Sequence, residues 1–169
     1  MFAACGGSSA EPSRTPPTPV TVPSEAVVAE PEPSVAPVEA SMMDLETLDR
    51  ILREEATLVR REANVWEAVV DGVQVAMVTD TRADRMRIVA PVAAEADLTD
   101  ELRRIILEAN FHSALDARYA TSGGILYAAY IHPLSPLEEA QFRSALHQVA
   151  SLKLTFGTTY SSSDLVFGG

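Results

Sequence analysis

The chain has 169 residues, about one domain's length, and is 47% apolar and 22% charged, with 24 acids against 13 bases and a formal net charge of −11. That apolar content argues against a wholly disordered chain, and the acidic excess, with Lys153 the only lysine, argues against nucleic acid as a partner. The one cysteine, Cys5, leaves no internal disulfide, and no run approaches the roughly 18 to 20 apolar residues that span a bilayer.

Residues 1–40 hold eight of the eleven prolines, and Phe2 is their only aromatic. Such a segment buries too little apolar area to offset its ordering entropy. A disordered tether, partly polyproline II, is expected there. Its reach lies between roughly 35 Å as a coil and roughly 110 Å fully extended. Phe2-Ala3-Ala4-Cys5-Gly6 resembles a bacterial lipobox, in which small residues precede a cysteine that becomes lipidated. The resemblance implies lipidation at Cys5 and membrane contact through a lipid anchor only. It implies the bacterial cell envelope as the location, with a start upstream of Met1; without that start the expected location is cytoplasmic.

Residues 41–156 read as one folded domain, and 157–169 as a C-terminal tail. Asp44 to about Glu62 is expected to be helical, capped by Asp44, with Leu45, Leu48, Leu52 and Val59 on one face. A hairpin follows, because Asp71-Gly72 sits between two valine-rich runs. A two-residue turn pairs Val70 with Val73, Ala68 with Val75, and Trp66 with Met77, and sends those six side chains to the core. Glu67, Gln74, Val65 and Val69 share the other face. Arg85 to Ala90 alternates and ends at Pro91, as a third strand would. Asp97 is expected to cap a second helix through about Asn110. Ala114–Ala120 and Ile125–Ile131 read as two more strands joined by Thr121-Ser122-Gly123-Gly124. Ser135-Pro136-Leu137-Glu138 has the pattern of a capping box opening a third helix that runs to about Leu154.

The predicted fold is therefore α+β, in the order α-β-β-β-α-β-β-α, with a mostly antiparallel five-stranded sheet packed with helices. That order resembles type III secretion chaperones and the related YbjN-like domains. The local sequence carries the resemblance too: Trp66 before the Asp71-Gly72 hairpin, Asp80, Arg85-Met86-Arg87-Ile88 through Pro91, Asn110-Phe111, Leu115 through Tyr119, and Ile131-His132-Pro133-Leu134. It implies a small dimeric binding protein rather than an enzyme, with no catalytic motif to carry over.

The residues themselves offer few catalytic constellations. His112, His132 and His147 share no ligand spacing. No metal and no cofactor are expected. His112 and Asp116 stand four apart, and Asp80 and Asp84 flank Arg82, but each fits a solvated loop or helix exit better than an acid–base pair. Ser161-Ser162-Ser163 fits a flexible tail, and no nucleophile elbow is present. Arg85 and Arg87 project from one strand face, where they could pair with Glu67 or contact an anion or peptide. Tyr127 and Tyr130 lie on a strand apolar at almost every position, so both its faces are expected to be covered, the second by a helix, the tail or another subunit. The candidate partner-binding residues are Glu67, Arg85, Arg87, Tyr127 and Tyr130. The expected function is a non-catalytic protein- or peptide-binding module, a homodimer tethered to the envelope. The alternatives are a structural dimer without a client, or a small enzyme.

Overall fold

The computed structural model describes residues 43–163; the lipobox-like start with Cys5 and the Pro-rich segment lie outside them. Asp44 caps helix α1 (Leu45–Glu55) by accepting from the Thr47 N–H at 2.7 Å. The helix stops at Glu55, seven residues earlier than its apolar spacing suggests. Two glutamates at the C-terminal end oppose the helix dipole, and the next residues, Thr57-Leu58-Val59, suit a strand. Thr57–Glu62 is strand β1, so the sheet has six strands and not five. Val59 still packs against the core, but from a strand.

Strand β1 turns through Ala63-Asn64 into β2 (Val65–Val70), with Arg61 opposite Trp66 and its guanidinium 4.5 Å from the indole centroid. Strand β2 pairs with β3 (Val73–Asp80) in the expected register. Asp71 and Gly72 both have positive φ, 51° and 78°, the type I′ geometry that fits a twisted two-residue hairpin. Strand β4 (Arg85–Ala94) runs through Pro91 with a bulge before Ala93. Pro91 lies beyond the last β3 partner of β4, Val89, so its missing N–H breaks no bond on that side.

A single 3₁₀ turn at Glu95–Asp97 precedes helix α2 (Asp100–His112), and Thr99 rather than Asp97 caps it, through its hydroxyl to the Leu102 N–H at 3.1 Å. Strands β5 (Arg118–Ser122) and β6 (Ile125–His132) form a hairpin over Gly123-Gly124, both at positive φ. Helix α3 (Glu139–Leu154) begins four residues after Ser135, which does not cap it. Ser135 instead donates its N–H and hydroxyl to the Asp84 carboxylate, both at 2.8 Å, and so ties the β3–β4 turn to the chain leaving β6. These donors hold the Asp84 carboxyl below its usual range.

The sheet is antiparallel throughout, in the order β1-β2-β3-β4-β6-β5. One face is covered by helices. Trp66, Met77, Ile88, Leu126 and Tyr130 point into it and are buried with Leu48 and Leu52 of α1 and Phe142 and Leu146 of α3. Residues 157–163 do not form a loose tail. Ser161 and Ser162 are buried, the Leu115 N–H donates to the Ser162 hydroxyl at 2.6 Å, and the Ser113 hydroxyl donates to the Tyr160 carbonyl at 2.8 Å.

Candidate partner-binding face

The alternation that buries one face of the sheet sets the composition of the other. Cross-strand register aligns Glu62, Val65, Val78, Arg87 and Ile131 in one row, and Arg60, Glu67, Ala76, Val89, Ala129 and Arg118 in the next. No helix of the described residues covers these rows. Ile131 is 57% exposed and Val78 41%. Three depressions open on this side, of about 420, 360 and 400 Å³. The first is lined by Leu58, Arg60, Glu67, Val69 and Gln74, and the third by Val78, Asp80, Arg85, Arg87 and Ile131.

The five candidate residues separate. Glu67, Arg85 and Arg87 are exposed on the open face, and Tyr127 is half-buried there, opposite Pro91 and Ala120. Tyr130 points the other way. It is 2% exposed and stacks on His132 with ring centroids 5.9 Å apart. Its hydroxyl is buried without a hydrogen-bond partner, while the nearby Gln141 amide lies 3.2 Å from His132 Nε2. Burial pushes the Tyr130 phenol up. Tyr130 is a core residue with no surface to offer a partner. The second face of β6 is not covered within the described residues: Ile125, Tyr127 and Ile131 all reach solvent.

Nor does Glu67 pair with Arg85 or Arg87. Strand β3 lies between β2 and β4, so Glu67 faces Ala76 and Arg87 faces Val78. Arg85 donates to the Asp84 carbonyl at 3.0 Å. Sequence reasoning does not single out Arg60 and Arg118, which bracket the second row from the two edge strands. Their signal is weak, because β1 was masked by helical spacing and β5 begins four residues later than expected.

The two sheet edges differ. At β5 the outward backbone is capped by side chains: Asn110 accepts from the Tyr119 N–H at 2.7 Å and donates to the Tyr119 carbonyl at 3.1 Å, and Gln148 accepts from the Ala117 N–H at 3.1 Å. At β1 the edge is instead bulged and charged, with Leu58 at φ 54° followed by Arg60, Arg61 and Glu62. Both devices discourage indiscriminate strand pairing, which leaves the face rather than the edges as the open surface.

The histidines are occupied separately. His147 on α3 bridges Asp71 of the β2–β3 turn at 2.7 Å and Glu55 of α1 at 3.1 Å. His132 Nδ1 lies 2.7 Å from the Pro133 carbonyl. His112 ends α2, with Phe111 edge-on to its ring, and no hydrogen bond joins it to Asp116 among those described. Among the described residues no group of three or more His, Cys, Asp or Glu side chains is placed to hold a metal ion.

The α+β domain thus presents a one-sided sheet whose open face mixes apolar residues with arginines. No protein-family model and no curated protein matches the sequence. Six solved chains match in structure. One belongs to the ExsC–ExsE complex: it is 16% identical, the match covers 68% of this chain and 97% of that one, and the TM-score is 0.49.

Proposed function

We propose that this chain is a non-catalytic protein- or peptide-binding module that captures its partner on the helix-free face of the sheet. One observation carries the reading: Val65, Val78, Val89 and Ile131 form an apolar stripe across the four strands β2, β3, β4 and β6, rimmed by charged side chains and left uncovered by the domain's own helices. An uncovered apolar stripe with a polar rim is what an interface presents before its partner arrives. The type III secretion chaperone-like and YbjN-like resemblance of the sequence agrees with such a role. The lipobox-like start adds a placement to the proposal: Cys5 anchors the tether, and residues 1–40 hold the domain away from an envelope membrane.

The test is site-specific photo-cross-linking of the full chain in its native cells. A photoreactive residue replaces Tyr127 on the open face or, as a control, Glu46 on α1. The Tyr127 probe gives a discrete adduct with another protein, and adding Ile131→Glu removes it. Adducts from Glu46 alone, or from Tyr127 that persist in the Ile131→Glu background, overturn the reading. Purely self-adducts from Tyr127 transfer the face to a structural homodimer.

A further inference from the structure

The arginines of the domain divide by location. Each of the five on helices, Arg50, Arg53, Arg103, Arg104 and Arg143, is within ion-pair distance of a carboxylate. None of the six on strands and turns, Arg60, Arg61, Arg82, Arg85, Arg87 and Arg118, makes such a pair among the described residues. Carboxylates are abundant in this acidic chain, so the unpaired set does not reflect a shortage of partners.

Three of the six, Arg85, Arg87 and Arg118, stand on the half of the open face built by β4, β6 and β5. The strand residues that share this half are uncharged, among them Val89, Pro91, Tyr127, Ala129 and Ile131. No carboxylate of β4, β5 or β6 points out of it; Asp80 of β3, registered opposite Arg85 at its border, turns its Oδ1 to the Arg82 and Ala83 N–H groups at 3.0 and 2.9 Å and makes no ion pair with Arg85. The other half, built by β1, β2 and β3, carries Glu62, Glu67 and Asp80 against Arg60. The face thus has a cationic, apolar-floored half inside an acidic molecule. Arg85 and Arg87 are alternate residues of one strand, so they point the same way about 6.7 Å apart. That spacing is also the repeat of alternate side chains in any extended peptide.

We infer that the occupant of this half is an extended acidic segment of a partner protein, with carboxylates at alternate positions on its inward side meeting Arg85 and Arg87 and its intervening side chains turned away from the sheet. The inference rests on the open face being the binding surface, and it adds the chemistry of what binds. Guanidinium–carboxylate contacts are charge-assisted and can be bidentate, which sets both affinity and register. The net negative charge of the remaining domain repels acidic segments from every other surface, so the selection is positional as well as local.

The experiment is fluorescence anisotropy of the full chain with three labelled peptides that alternate valine with glutamate, glutamine or lysine. The glutamate peptide binds about tenfold or more tighter than the glutamine peptide, the lysine peptide binds weakest, and added salt narrows the difference. The double variant Arg85→Gln/Arg87→Gln removes the preference. Arg104→Gln on α2 leaves it intact. Equal binding of all three peptides, lost in Ile131→Glu, overturns the acidic specificity while keeping the face as a peptide site. No binding by any peptide overturns the inference, and the cross-linking at Tyr127 then decides separately whether the face is used. A concentration-dependent dimer that dissociates in Arg85→Gln/Arg87→Gln assigns the face to a second copy and overturns it as well.

Discussion

The two faces of one sheet obey opposite rules here. On the helix side, large side chains interlock and polar atoms are nearly all satisfied: Trp66 is fully buried and its indole N–H still reaches Asp49 Oδ1 at 2.8 Å. On the open side, valines and isoleucines alternate with arginines that meet no carboxylate. The same strands supply both, because successive residues point to opposite faces. The difference separates what holds the domain together from what the domain can offer to another molecule. It also makes the separation measurable, since substitutions on one side should move stability and on the other should move binding.

The sharpest break comes from a pair of truncations. Trp66→Ala should cost about 3–5 kcal/mol, for the cavity it leaves and the orphaned Asp49 contact. Ile131→Ala, on a residue 57% exposed, should change stability by no more than about 0.5 kcal/mol. Urea denaturation of both variants checks this, and equal losses would mean that the open face is covered in the folded protein. A smaller effect is expected inside the core. The Tyr119 hydroxyl donates to the Leu152 carbonyl at 2.7 Å, and burial pushes its phenol up. Tyr119→Phe keeps the ring against Phe156 and Tyr160 but leaves the carbonyl unpaired. Its expected cost is about 1–2 kcal/mol. Asn110→Ala should cost a similar amount and should also uncover the β5 edge, seen as self-association by sedimentation at concentrations where the parent chain does not associate.

How much of this was legible in the sequence depends on whether the deciding contact was local. The β2–β3 hairpin and its core register could be read because Asp-Gly alone meets the two positive-φ positions of the turn. Arg85 and Arg87 could be placed on one face because β4 alternates cleanly. Strand β1 was hidden, since Val59 continues the helical spacing of Leu45, Leu48 and Leu52, and Ala63-Asn64 is a weak turn signal. The third helix lost its capping box to a tertiary contact, Asp84 with Ser135, 51 residues apart in the chain. Tyr130 was misplaced because β6 is apolar on both sides. Only the packing of α3 shows that Leu126, Ala128 and Tyr130 are the inward set.

The smallest expected effect lies on the helix side and depends on pH. His147 holds Asp71 and Glu55 together, and Arg143 shares Glu55. The Asp71 hydrogen bond first, and Glu55 with it, raise the imidazole pKa against a partial desolvation that lowers it. A raised folded value means that the charged form is favoured in the fold. Its stabilisation is therefore complete below the unfolded value of about 6.5 and is lost as pH rises through the folded one. Glu55 has the reverse sign. Arg143 first and His147 second hold its carboxyl low, so its contribution is present above its unfolded value and is lost as pH falls through the folded one. Between these limits the bridge from the hairpin turn to α1 and α3 is at full strength. Because the His147 side chain is 46% exposed, water screens the pair, and the expected size is about 0.2–1 kcal/mol. Urea titrations of the parent chain should show a decline in stability from pH 6 to 8, and His147→Gln should flatten it while leaving the proposed peptide binding on the opposite face unchanged. A parent chain whose stability rises across that range would show that the bridge does not carry the charge assigned to it.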